Sequence, residues 1–393
     1  MIKKLFFFSA AALLTGCVNI SSTPEYSDFS ARFTKERTEL YHGKTRWDFE
    51  KFLIEELKNN PEMECADLVK FCCQAAFGIE KSAESGAEKF SKDFEKVKAD
   101  RNQKLIHVTS PDTARVNLAA WKAAGLPAQW LLRMSVIESE FDDSAVKMAE
   151  YTKIAADTIG KCHLKFTAEE FLAMADKCKK ADHKHYEHSE IYKKKNPPYR
   201  LISSRYFHTI PVLMKAAKIK EGKLPNVIAV DGRSASGKTT LANQLKVILD
   251  AQVIHMDDFF LPINLRTAMR YEEAGGNVHY ERFMEEVLVN IKKPEAFSYR
   301  IFDCKKLDYN GSRMIWTNSK WRIVEGAYSM HGKFGNYADL KVFYDIDPEE
   351  QLRRIDLRNG AKAVQMFKNK WIPLEEKYIK TFEVDRKADL IIR

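Results

Sequence analysis

Val227-Ile228-Ala229-Val230-Asp231-Gly232-Arg233-Ser234-Ala235-Ser236-Gly237-Lys238-Thr239-Thr240-Leu241 is the stretch that decides the fold. Its opening apolar run reads as a buried strand. The eight residues from Gly232 to Thr239 match G-x-x-x-x-G-K-[ST] at every fixed position. Leu241, Leu245 and Ile248 then recur at helical spacing. Strand, glycine loop and helix in that order make a cradle for phosphate. The glycines let the backbone curl so that successive N–H groups point inward. The helix start adds the positive end of its dipole. Gly232, Arg233, Ser234, Ala235, Ser236, Gly237, Lys238, Thr239 and Thr240 are therefore the expected nucleotide-binding residues. Lys238 should reach the β- and γ-phosphates of ATP, and the Thr239 hydroxyl should ligate Mg²⁺.

Working outward, short apolar strands are expected at Val227–Val230, Val253–Met256, Trp321–Glu325, Lys341–Ile346 and Asp389–Ile392. Helices are expected at Thr239–Leu249, Tyr280–Ile291 and Pro348–Arg358. Alternation of this kind predicts an α/β P-loop NTPase fold over residues 222–393, a parallel sheet covered by helices on both faces.

Phosphoryl transfer to a hydroxyl needs a carboxylate near the γ-phosphate and cations to offset transition-state charge. Asp257 and Asp258 follow a strand, at the sheet edge where such folds hold ligands. With these residues the segment from about Pro225 onward resembles the uridine kinase-like group of P-loop kinases, whose relatives include pantothenate kinase and phosphoribulokinase. The resemblance implies a kinase acting on a small hydroxylated metabolite, with Asp257 as the base that contacts the acceptor hydroxyl. It gives Asp258 a second acceptor-site or metal-shell role. Gly275-Gly276-Asn277-Val278-His279-Tyr280-Glu281-Arg282-Phe283 looks like the group's acceptor segment, which implies substrate contacts from His279 and Arg282. Glu325, in Ile323-Val324-Glu325-Gly326, stands where a Walker-B aspartate is absent and would orient Mg²⁺-bound water. Asp347–Asn359 resembles the lid helix, so Arg354 and Arg358, at i and i+4, would close over the nucleotide. Arg300 sits where the group often has Asp, which argues against uridine itself. No Asn-Lys-x-Asp guanine motif supports a GTPase.

Upstream the signals are helical, and residues 47–178 are expected to form an all-helical N-terminal domain. Ser110-Pro111 reads as a helix start, and Thr167-Ala168-Glu169-Glu170 as a capping box. Residues 179–221 read as a linker with one connecting helix. His183, His185 and His188 share no face within it, so a solvated loop is expected rather than a metal site. Residues 19–46 form a polar lead-in. At the start, Lys3 and Lys4 precede an apolar run ending in Leu14-Thr15-Gly16-Cys17, which resembles a bacterial lipoprotein signal over residues 1–18. That likeness implies a lipid on Cys17 and membrane association. Without C-x-x-C spacing, the other six cysteines are expected as thiols.

The net charge of +9 suits anionic ligands. No basic patch with interleaved aromatics points to nucleic acid. Composition excludes fibrous, collagenous and broadly disordered classes. Two readings stay open: an ATP- and Mg²⁺-dependent metabolite kinase working in the cytoplasm, or an ATP-binding regulatory or membrane-anchored protein without turnover. The helical half could shape the acceptor pocket, form a homo-oligomer or dock a partner, and no motif chooses among these.

Overall fold

The computed structural model describes residues 18–19 and 49–393, apart from 78–82, 111–112, 137–143, 163, 181–186, 221 and 318. Cys17, His183 and His185, and the lead-in from residue 20 to 46, lie outside the described residues. Two compact units meet in sequence between Phe207 and His208.

The first unit is mainly helical, with long helices at Phe49–Asn59, Cys65–Phe77, Ser144–Ile159 and Ala168–Lys180. Phe52, Leu53, Leu68, Phe71, Phe171 and their neighbours bury one shared core. The capping box forms as expected: the Thr167 N–H donates to Glu170 Oε2 at 2.8 Å, and the Glu170 N–H donates to Thr167 Oγ1 at 3.2 Å. Three short strands join the helices, in the antiparallel order Ile106–Val108, Thr113–Asn117, Tyr199–Ser203. Thr113–Asn117 lies where the sequence suggested a helix. The helix starts later, at Leu118, because Asn117 caps it by accepting the Ala119 and Ala120 N–H groups.

The stretch expected as a linker is also structured. It supplies the helix Glu190–Lys195 and the strand Tyr199–Ser203, while the connecting helix is Thr209–Ala216. His188 is not solvated. It is buried between Asp67 Oδ1 (2.8 Å from Nδ1) and the Tyr199 hydroxyl (2.5 Å from Nε2), and burial lowers its pKa to about 4. Kept neutral, it donates from Nδ1 to Asp67 and accepts from Tyr199 at Nε2. Tyr199 in turn accepts from Gln74 Nε2 at 2.7 Å.

Beside this chain Arg115 is buried against Glu56, with N and O 3.1 Å apart and side chains only 6% and 8% exposed. Replacing Glu56 by Ala would leave the guanidinium buried without its counter-charge. We expect a loss of about 3–5 kcal/mol in urea unfolding; a change below about 1 kcal/mol would contradict a structural role for the pair.

The second unit carries five parallel strands in the order Gln252–His255, Trp321–Glu325, Asn226–Gly232, Leu340–Tyr344, Leu390–Ile392. Val18–Asn19 pairs antiparallel with the last of these. All five strands expected from the sequence are present. The loop strand is central and buried along its whole length, as a strand covered on both faces must be. Register sets the site: Val230 and His255 both pair with Glu325, and Gly232 pairs with Tyr344. Gly232, His255 and Glu325 thus reach the same carboxyl edge of the sheet.

Two features of this unit differ from the expectation. The helix expected over Tyr280–Ile291 is α-helical only at Tyr280–Phe283 and continues as a π-turn over Met284–Leu288. An antiparallel hairpin, Phe297–Asp303 with Asp308–Ile315, stands off the sheet. Among the described residues, no helix is long and apolar enough to cross a membrane.

Candidate active site

The phosphate loop has the backbone its motif demands. Gly232 has φ +142°, and a Cβ there would come within 2.0 Å of the Tyr344 carbonyl oxygen. Gly237, at φ +115°, is the residue from which Lys238–Leu249 starts. Lys238 is buried, and its Nζ donates to the Arg233 carbonyl at 2.7 Å. The Thr239 hydroxyl donates to Glu325 Oε2 at 3.1 Å. A hydroxyl and a carboxylate converging beside a phosphate loop are the hard oxygen donors that Mg²⁺ takes. His255 Nδ1 lies 2.5 Å from Glu325 Oε1 and fixes the other carboxylate oxygen. Thr240 is exposed on the first turn of the helix.

Residues of the helix Pro348–Asn359 hold the loop's carbonyls. Gln351 Nε2 donates to the Ser234 carbonyl at 3.1 Å. Arg354 donates to the carbonyls of Ala235 (3.4 Å) and Ser236 (3.1 Å), while Glu350 pairs with its Nε at 2.7 Å. Arg358 is exposed and bonded to Asn359. The structure therefore brings Arg354 to the loop but not Arg358, although the two share a helical face.

Asp257 follows the strand Gln252–His255 and remains accessible to solvent. Enough protein surrounds it that desolvation raises its pKa; Glu325 adds to the rise and Lys238 opposes it. Asp258 is buried, accepts the Tyr299 hydroxyl at 3.2 Å and lies 3.5 Å from Arg313. Burial raises its pKa too. The segment expected at the acceptor, residues 275–283, runs alongside, with Val278 bridged to Phe260 and the His279 N–H donating to the Phe259 carbonyl at 2.7 Å. His279 Nδ1 meets the Tyr309 hydroxyl of the hairpin at 3.0 Å, and burial lowers its pKa.

Arg282 departs from its expected place at the acceptor. It is 1% exposed, stacks on Phe259 at 4.1 Å, and donates to the carbonyls of Asp258 and Arg300 and to Glu286. It braces the Asp257–Asp258 turn from behind. Arg300 pairs with Glu286.

Among the residues of this region that sequence reasoning missed are Asp231, His255, Arg313, Tyr309 and Glu375. Asp231 is buried and accepts from the Gly232, Tyr328 and Met330 N–H groups and from the Tyr378 hydroxyl. An acidic residue ending a fully apolar strand was the one available signal for it.

No protein-family model matches the chain. Uridine kinases of Ureaplasma urealyticum serovar 10 and Ureaplasma parvum serovar 3 are each 27% identical to it over 157 residues, covering 37% of this chain and 75% of theirs. Among solved structures, a uridine kinase candidate from Bacillus stearothermophilus aligns at 22% identity with a TM-score of 0.39, over 47% of this chain and 97% of its own. A candidate fructose transport system kinase from Silicibacter sp. TM1040 aligns at 20% identity with a TM-score of 0.40, over 47% and 96%. The phosphate loop and the parallel sheet give the second unit a P-loop fold, and its likeness to the Ureaplasma uridine kinases supports a kinase at the coarse level.

Proposed function

We propose that residues 222–393 bind ATP and Mg²⁺ and transfer the γ-phosphoryl to a hydroxyl of a small metabolite. One observation carries the reading: Lys238, Thr239, Glu325 and Asp257 gather at one edge of the sheet, with Thr239 bonded to Glu325. Bound Mg²⁺ would supply charge neutralisation to the phosphates. Thr239 and Glu325 would hold it, with His255 keeping Glu325 in place. Lys238 turns from the Arg233 carbonyl to the phosphates. Asp257, its pKa raised by desolvation, takes the proton of the acceptor hydroxyl as that oxygen bonds the γ-phosphorus and the bond from phosphorus to the ADP oxygen breaks. Arg354, already on the loop, offsets charge on the transferred group. Asp258 and His279 line the acceptor side.

The acceptor classes are nucleosides like that of the Ureaplasma relatives, pantothenate-like acids, and sugars. Transfer of label from [γ-³²P]ATP to members of this panel, with the product identified by mass, tests the proposal on the full-length chain. A labelled product names the acceptor. Tight ATP binding with no labelled product from any class would favour the regulatory reading. A kinase that draws on cellular ATP would work in the cytoplasm, and a glycerol lipid on Cys17, with this unit protected outside the inner membrane, would contradict that.

A further inference from the structure

Glu375 stands outside the residue set expected from the sequence, yet its carboxylate reaches the phosphate loop itself. It lies in the first turn of Ile372–Phe382 and is only 5% exposed. It accepts the Ser234 N–H at 2.9 Å and also the Ser234 hydroxyl. The next residue, Glu376, takes Nε and an NH₂ group of Arg233 at 2.6 and 3.1 Å. One helix thus holds the two residues that follow Gly232 in the loop.

Loop N–H groups and the loop lysine are what such a fold offers to phosphate. Glu375 already engages one of these N–H groups and lies within electrostatic reach of Lys238. A carboxylate so placed competes with phosphate for both. We propose that Glu375 is a proton-linked positioning residue: ionised, it holds Ser234 and balances Lys238, and when nucleotide phosphates enter it takes one proton from solvent and releases both to them. The inference rests on the nucleotide-binding reading above.

The groups facing Glu375 favour this behaviour. Asp231 lies at the end of the central strand, Lys238 and Ser234 are on the loop, and Tyr328 follows the strand that carries Glu325. Glu376, beside it on its own helix, is paired with Arg233. Tyr378, a turn further along, is bonded to Asp231. Burial raises the Glu375 pKa, while Lys238 and the two Ser234 bonds pull it down. Polyanionic phosphate entering beside the carboxylate disfavours its charge further. By reciprocity, protonation must then tighten nucleotide binding.

The test is proton uptake on ATP binding by the full-length chain, read from binding heats in two buffers of different ionisation enthalpy across the neutral range. Asp231 and Asp257 contribute in every variant, so the difference between wild type and Glu375→Gln isolates Glu375. Wild type should take up more protons than Glu375→Gln. Its Kd for ATP should weaken by up to about tenfold per pH unit as pH rises, and the variant should show a flatter profile and tighter binding at the alkaline end. Equal uptake with ATP bound by both proteins would overturn the inference, as would a folded Glu375→Gln that no longer binds ATP. Failure of wild type itself to bind ATP would instead overturn the nucleotide reading. If Glu375→Gln does not fold, Ser234→Ala serves. Losing a bond to the charged carboxylate should move the pH profile upward, and an unmoved profile would overturn the inference.

Discussion

Asp257→Asn should lower acceptor-dependent ATP turnover by about 10²–10⁴-fold, the usual contribution of a positioned general base, while ATP still binds. The amide keeps the size of the side chain and removes only its capacity to take a proton. Asp257 is open to solvent and lies near Glu325, so loss of its charge relieves like-charge crowding and leaves the fold intact. The effect should fall on kcat, with the Kd for ATP changed by less than about threefold. The pH profile supplies a second readout. Only the ionised carboxylate can accept a proton, and its pKa lies above the ordinary value. Wild-type kcat/KM should therefore rise as pH climbs through that raised pKa, and this rising limb should be missing from Asp257→Asn. Stopped-time assays across the acid range, on both proteins, check it. Equal turnover in the two would remove Asp257 from the base role.

Lys238→Ala should fail earlier, at binding. The ammonium is the loop's own cation, and Asp231, Asp257 and Glu375 each feel its charge. Removing it takes away the cation that offsets the charge of these carboxylates beside the loop. ATP affinity should fall at least about a hundredfold, in line with the loss of a group aimed at developing charge in a desolvated site. Titration calorimetry with ATP and Mg²⁺ measures this. Circular dichroism should still report a folded chain, because the amino group makes one hydrogen bond, to the Arg233 carbonyl. Binding within about threefold of wild type would mean that the loop does not hold phosphate in this protein.

The second unit was legible because its signals are local. Glycines at fixed spacing, a strand of uninterrupted apolar residues and a helix with Leu241, Leu245 and Ile248 on one face need no knowledge of distant contacts. The hairpin was not legible, since its second strand, Asp308–Ile315, is polar and largely exposed and so carries no core-facing alternation. In the first unit, Ser110-Pro111 offered a helix start that Thr113–Asn117 overrides by pairing with strands on both sides, one of them more than eighty residues away. Pairing of that range leaves no trace in a local window.

Within the site, the reading named residues from motifs on and after the loop and left out those that the rest of the fold brings beside it. No local motif marks Glu375 and Glu376, and carboxylates near a helix start usually serve the dipole. Only the packing of Ile372–Phe382 beside the loop sets them against Ser234 and Arg233. Arg282 erred in the opposite direction. A basic residue in an acceptor-like segment invites a substrate role, but Phe259 and three hydrogen-bond acceptors enclose its guanidinium. Arg354 and Arg358 show a third limit: helical spacing gives them one face, yet the loop reaches only the first.

The central claim is that this chain moves phosphoryl groups with Asp257 as base. The measurement that meets it most directly is acceptor-dependent ADP release by the full-length chain, run beside Asp257→Asn with the acceptor that labelling identifies. The account predicts release that needs both the acceptor and the carboxylate, with ATP bound by both proteins. Release that ignores the acceptor, or that survives in Asp257→Asn at the wild-type rate, would contradict it.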